Sequence, residues 1–223
     1  MPARVTLCGV DLTLDAAGVA WCAAHRALLA ADLHLEKGSS FARTGQLLPP
    51  YDTFATVQRL AAAVARYQPD VVYLLGDSFH DPFAGERLPE TAITALTALA
   101  HTTRLIWITG NHDPVVPAAL PGARAGAAQL GPLTLRHIPS PGVARGEIAG
   151  HLHPVARIRT RAGVVRRACF ISDAGRMILP AFGAYAGGLN VRDPAFAGLF
   201  ERPMLHALGA QRVLPVGFDR ALG

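Results

Sequence analysis

The chain has 223 residues, of which 51% are hydrophobic and 17% charged, with 22 glycines and 17 prolines. This composition suits a compact, loop-rich globule with a sizeable core, and it excludes a disordered chain, which would be charge-rich and poor in apolar side chains. The net charge of +5 permits an anionic partner such as nucleic acid, although Lys37 is the only lysine among 21 basic residues and an arginine-rich chain can equally reflect genome composition.

In chain order, residues 5–7, 12–14 and 19–22 are predicted as short strands separated by turns, at the edge of a sheet. The apolar run 27–31 then leads into Asp32-Leu33-His34 and a polar loop over 36–40, which would leave Lys37 and Arg43 near a substrate phosphate. From 51 to 67 the apolar positions Phe54, Val57, Leu60, Ala61 and Val64 recur at three and four residues, the period of a helix with one buried face, and Pro69 ends it. Val71-Val72-Tyr73-Leu74-Leu75 is too short for a buried helix and reads as a fully buried strand. A loop through His80-Asp81-Pro82-Phe83 and a second helix over 89–100, with Ile93, Leu96 and Leu99 inward, follow it. Alternation of this kind implies parallel strands joined by right-handed crossovers. Beyond Pro114 short strands are predicted at 133–137, 147–149, 164–171 and 212–214. With no linker, repeat or low-complexity segment, residues 1–223 are expected to form a single domain of two sheets sharing a core. Cys8, Cys22 and Cys169 are odd in number and widely spaced, so neither a disulfide framework nor a thiolate zinc site is suggested. No apolar run reaches the roughly 18 residues of a membrane span, and no signal segment is evident, so a cytoplasmic location is expected.

Four apolar runs end in polar side chains of metal-ligand type. They deliver Asp32-x-His34, Gly76-Asp77, Gly110-Asn111-His112-Asp113 and Gly150-His151-x-His153, with His137 between the last two. In α/β sheets, strand tips are where ligands collect. A lone histidine is usually a solvated or core residue, the reading given to His25, His101 and His206. The other six of the nine histidines nevertheless fall in or between these blocks, and that concentration points to a metal site.

These blocks, in this order, resemble the calcineurin-like metallophosphoesterases over roughly residues 27–155. The resemblance implies an α/β fold in which two mixed sheets form a β-sandwich flanked by helices (αββα). It implies one divalent metal held by Asp32, His34, Asp77 and His153 and a second held by Asp77, Asn111, His137 and His151. Two such ions can activate water and clamp the oxygens of a phosphoryl displacement, and nitrogen and oxygen ligands without sulfur suit Mn²⁺, Fe or Zn²⁺. His112 resembles the family histidine that protonates the leaving oxygen, with Asp113 placed to orient its ring. His80 stands where many relatives carry aspartate, leaving open whether His80 or Asp81 touches substrate, supports a ligand or caps a turn.

The segment Asp32-Leu33-His34-Leu35-Glu36-Lys37 with Phe41-x-Arg43 and Gly45, the tripeptide Ser78-Phe79-His80, and the tail from Leu179 to Asn190 are similar to the bacterial DNA ligase-associated metallophosphoesterases. That resemblance implies a Mn²⁺-dependent phosphodiesterase with DNA endonuclease activity in repair, a DNA partner with single-stranded regions, and a functional link to a DNA ligase. A phosphomonoesterase or a small-molecule or cyclic-nucleotide phosphodiesterase on the same site is the alternative. A non-catalytic scaffold would show substituted ligands, and none of the seven is missing. Arg157, Arg159 and Arg161 alternate and so are expected to share one face of a strand, and Arg166-Arg167 return after a turn, so one hairpin carries five arginines. They could contact a phosphate backbone or protect a hairpin edge from aggregation. Gly187-Gly188 suggests a tight turn with close backbone approach, read as structural, with a place beside the site as the alternative.

Overall fold

The computed structural model describes residues 2–43, 45–46, 48–49 and 51–223. One sheet holds seven strands in sequence order: β1 (Ala3–Leu7), β2 (Val10–Leu14), β3 (Ala20–Cys22), β4 (Ala27–Ala30), β5 (Val71–Leu75), β6 (Arg104–Ile108) and β7 (Ala123–Ala125). The first four pair antiparallel and β4 to β7 pair parallel. The second sheet is built from β8 (Ala127–Leu130), β9 (Leu133–Arg136), β10 (Glu147–Ala149), β11 (Val155–Thr160), β12 (Gly163–Ser172), β13 (Arg176–Ile178), β14 (Met204–Leu208), β15 (Val213–Gly217) and β16 (Ala221–Leu222). It is antiparallel except that β10 lies parallel to both β9 and β13. Four helices complete the fold: α1 (Lys37–Arg43), α2 (Asp52–Tyr67), α3 (Ala84–Arg87) and α4 (Glu90–Ala100).

The expected two-sheet α/β architecture is therefore present. Between the sheets lie Leu12, Leu14, Leu29, Tyr73 and Leu75 from one side and Leu133, Leu135, Ile148, Phe170 and Met177 from the other. The all-buried β5 sits mid-sheet and is apolar on both faces, because its other face, with Val72 and Leu74, meets Val57, Leu60 and Val64 of α2 and Leu96 of α4. Phe54, expected inward, is 58% exposed. The outer face of the second sheet is closed by Val191, Phe196 and Leu199, from a loop with one turn of 3₁₀ helix at Pro194–Phe196. The flanking layer on that side is thus a loop where a helix was expected. No helix among the described residues is long and apolar enough to cross a membrane.

The stretch expected as a polar loop after His34 is instead the helix α1. Its glycine and serines are poor helix formers, so tertiary contacts hold it. The Glu36 carboxylate accepts from the Ser39 and Thr53 hydroxyls at 2.6 and 2.8 Å, and Asp52 accepts from the Gly38 amide at 3.1 Å.

Candidate metal centre

Parallel strands put the C-terminal ends of β4, β5 and β6 on one edge of the first sheet, and β9 and β10 do the same for the second. Those tips are followed in turn by Asp32 and His34, by Asp77, by Asn111 and His112, by His137, and by His151 and His153. The chain bends sharply there. Asp32, His34, Asp77, His151 and His153 all adopt left-handed backbone with φ between 44° and 70°. Such conformations cost on the order of 1–3 kcal/mol each outside glycine and persist only where surrounding bonds enforce them. Here the Asp32 and His34 amides donate to the carbonyls of Gly76 and Asp77 at 3.1 and 2.9 Å, and the His151 amide donates to the Asp32 carboxylate at 3.0 Å.

Two groups of ligand atoms result. Asp32, His34 and His153 offer atoms within 4.8 Å of one another, and so do Asp77, His137 and His151. In the first, the Nε2 atoms of His34 and His153 face each other at 3.2 Å, with Asp32 Oδ1 3.3 Å from the latter. In the second, His137 Nε2 lies 2.9 Å from Asn111 Oδ1, 3.2 Å from His151 Nδ1 and 3.3 Å from Asp77 Oδ2. His137 Nδ1 is 3.0 Å from the Leu75 carbonyl, which can only accept, so Nδ1 carries the proton and the neutral ring presents a bare Nε2. That lone pair meets an amide oxygen and a carboxylate oxygen that are acceptors too. Either a proton on Nε2 or a metal ion reconciles such a set, and a second ring atom bonded to backbone is the usual way of fixing a ligating histidine. Oxygen and nitrogen donors without sulfur fit a divalent ion of the first transition row. The residues present therefore fit two metal ions.

The electrostatics agree. Burial, reinforced by the facing His153, pushes the His34 imidazolium down to about 3, leaving a neutral ring at physiological pH. Burial opposes ionisation of Asp77, but the His137 hydrogen bond and the His112 amide outweigh it and hold the carboxyl at about 2. Burial likewise opposes a charged His137, yet its bond to Asp77 and the charges of Asp32 and Asp77 raise its pKa.

Close approach of the tips demands glycine at two points. A Cβ on Gly110 would lie 2.2 Å from Asp77 Oδ1, and one on Gly76, at φ +76°, would lie 2.4 Å from the His137 ring. These glycines stand immediately before Asp77 and Asn111 because the Asp77 and His137 side chains occupy the space a Cβ would need.

The model of the calcineurin-like phosphoesterase family matches residues 25–161. The chain belongs to that family. Among solved structures, Pseudomonas putida nuclease MPE is 30% identical, aligning 97% of this chain with 100% of that one at a TM-score of 0.76. The E. coli phosphoesterase Yfce is 17% identical over 86% of this chain and 98% of that one, at a TM-score of 0.42. A search of curated proteins finds no significant match. The chain is a metal-dependent phosphoesterase.

In this phosphoesterase Asp113 does not stand behind the His112 ring as expected. It is buried, and its two oxygens accept from four amides: Gly110 at 2.8 Å, Asp77 at 3.0 Å, Ser78 at 2.7 Å and Phe79 at 3.2 Å. Burial pushes its carboxyl up to about 6, with the Asp77 charge adding to it, against the pull of these amides. Asp113 is thus the pin that ties the β6 tip to the Asp77 loop. His112 takes its orientation elsewhere: its amide donates to Asp77 Oδ1 at 2.9 Å, its Nε2 stands 4.0 Å from Asp77 Oδ2, and its side chain is 46% exposed.

His80 stacks between His112 and Phe41, with ring centroids 5.8 Å from each, so a line of three rings forms the rim of the centre. Asp81 is committed to Arg87, which it pairs with at 2.6 and 3.2 Å, while Arg87 also reaches the Ser39 hydroxyl of α1. Asp81 is therefore a brace, and His80 is the member of the pair at the site. Arg43 ends α1 with its guanidinium 5.9 Å above the Phe83 ring, two residues beyond Phe41 on the outer rim. Phe41, Arg87 and Ser39 were not singled out from sequence as parts of the site; only the Phe41-x-Arg43 motif hinted at them.

Proposed function

We propose that this phosphoesterase is a binuclear, metal-dependent phosphodiesterase that cleaves DNA internally. The observation that carries the reading is the pair of ligand triads, Asp32 with His34 and His153 and Asp77 with His137 and His151, gathered at neighbouring strand tips. Its nucleic-acid substrate is supported by 30% identity, across nearly the whole length, to a protein described as a nuclease.

Asp32, His34, Asp77 and His153 would hold one ion, and Asp77, Asn111, His137 and His151 the other. Ions bound there supply Lewis-acid charge for the phosphate and lower the pKa of a water ligand towards 7, roughly. Mn²⁺ is our assignment, with Fe or Zn²⁺ as alternatives the donor set also accepts. The chain's own work is positional. Buried Asp32 and Asp77 fix the imidazoles, and the Asp113 amide cluster fixes Asp77. His112 is the exposed imidazole beside Asp77 and would hand a proton from Nε2 to the leaving oxygen, a general-acid contribution typically worth ~10²–10⁴-fold. His80 and Arg43, along the rim, would meet the substrate. A role in DNA repair, a functional link to a DNA ligase, a preference for single-stranded regions and a cytoplasmic location come with the resemblance in Asp32–Lys37, Ser78–His80 and Leu179–Asn190.

The test is Mn²⁺-dependent cleavage of a covalently closed single-stranded DNA circle, beside a bis-aryl phosphodiester and an aryl phosphomonoester, with His112→Ala as control. A circle has no ends, so nicking by the wild type identifies an endonuclease. Turnover of the small esters alone would leave the metal chemistry standing and reject the nucleic-acid substrate.

A further inference from the structure

We propose that Arg157, Arg159 and Arg166 form a ridge along which a DNA strand lays its phosphodiester backbone as it enters the metal centre, an inference that rests on the nuclease reading above. The hairpin carrying them begins two residues after His153. Its register sets Arg157 directly opposite Arg166 and Arg159 opposite Val164, and directly opposed residues of an antiparallel pair share a face. On the other face Ala156 and Ile158 are buried in the core of the second sheet, with Val165 packed against them. Three guanidinium groups therefore share the solvent face. Arg167 pairs with Ala156 on the opposite face, and Arg161 lies in the turn beyond β11, so neither belongs to the ridge.

The arrangement is costly without an anion. Like charges directly opposite each other destabilise a strand pair. The arginine ion pairs among the described residues involve Arg26, Arg66, Arg87, Arg136 and Arg176, and none of the three ridge residues. What the ridge does bond is main chain: Arg157 donates to a main-chain oxygen of the terminal residue Gly223 at 2.6 Å and Arg166 to the Gly188 carbonyl at 3.0 Å. Edge protection does not account for Arg157, because β11 has β12 on one side and β16 on the other at that residue.

The Gly188 contact ties the ridge to the site. Gly188 presses against the loop bearing His153, so closely that a Cβ there would sit 2.3 Å from the His153 carbonyl oxygen and 2.5 Å from Val155 Cγ2. Val155, Arg157 and Arg159 alternate along one face of β11, so the ridge runs outward from the ligand loop. Two residues along a strand advance about 6.6 Å, a step on the scale of successive phosphates.

The experiment measures steady-state cleavage of a single-stranded DNA oligonucleotide across a salt series, with bis-aryl phosphodiester hydrolysis run in parallel. The variants are Arg157→Gln/Arg159→Gln/Arg166→Gln and the matching triple lysine variant. Each contact to a single strand contributes about 0.7 to the slope of log affinity against log salt. Losing three should flatten the slope by about 2, raising oligonucleotide KM on the order of 100-fold at 0.1 M salt and converging on wild type near 1 M. Small-ester kcat/KM should stay within about twofold, and the lysine variant should keep most of the slope because it keeps the charge. Parallel salt slopes for wild type and the glutamine variant would overturn the ridge, as would an equal loss on the small ester or a lysine variant as impaired as the glutamine one. Wild type that turns over the ester but neither binds nor cleaves the oligonucleotide would instead reject the nuclease reading beneath it.

Discussion

Asp113→Asn separates two accounts of the same carboxylate. The side chain is 1% exposed and its oxygens each take a pair of amides, Gly110 and Asp77 on Oδ1, Ser78 and Phe79 on Oδ2. Asparagine keeps the shape but has one oxygen, so its NH₂ must face two of the four N–H donors. A buried donor left without an acceptor costs about 1–3 kcal/mol, which puts the substitution at roughly 2–6 kcal/mol for the two. The remaining pair also loses a charged acceptor. Because three of those amides belong to the Asp77 loop, the Asp77 carboxylate should shift and metal affinity should fall with stability. Urea denaturation of the metal-free protein reads the first effect, and a Mn²⁺ titration the second. Activity should drop by the same factor for esters with good and poor leaving groups. If Asp113→Asn kept wild-type stability and metal affinity, and lost activity only with poor leaving groups as His112→Ala should, Asp113 would be acting through the His112 ring and the pin would be refuted.

Gly110→Ala should abolish detectable Mn²⁺ binding by calorimetry, since the new Cβ would occupy the position of Asp77 Oδ1, whereas Gly187→Ala, which meets nothing within 4 Å, should bind as wild type; a Gly110→Ala protein with normal affinity would count against the packing argument. His206 supplies a pH prediction remote from the ligands. It is 7% exposed, its Nε2 lies 3.1 Å from the Ser172 hydroxyl, and burial lowers its pKa from the ordinary 6.5. The unfolded chain then takes up the proton first, so this contribution is fully present above pH 6.5 or so and is lost as the pH falls below it. In chelator-treated protein, stability of His206→Gln should fall less steeply with acidification than that of wild type, and identical profiles would remove His206 as a cause.

Much of the site was legible because its grammar is local: an apolar run stops, and a carboxylate, amide or imidazole follows within three residues. That pattern located six of the seven expected ligands, while His137, outside any such block, was expected from the resemblance alone, and the fold brings all seven together. What the pattern could not carry was the use of a side chain once there. Asp113 follows His112 in sequence, which suggested a partner for the ring, but it turns inward because four amides at the junction of β5 and β6 have no other acceptor. The α1 helix was read as a loop because Gly38, Ser39 and Ser40 disfavour a helix, and the carboxylates that hold it, Glu36 and Asp52, act across sequence. β7 and β8 are rich in alanine, with little β propensity, and exist because β6 and β9 offer free edges. The hairpin of β11 and β12 was visible, but alternation put Arg157, Arg159 and Arg161 on one face, whereas β11 ends at Thr160 and the register places Arg166 beside Arg157 and Arg159 instead.

The most direct test of the metal centre is an anomalous-difference map from crystals soaked in Mn²⁺. Two peaks are predicted, one among Asp32, His34 and His153 and one among Asn111, His137 and His151, both within bonding distance of Asp77. A single peak, or two peaks that do not share Asp77, would contradict the binuclear assignment.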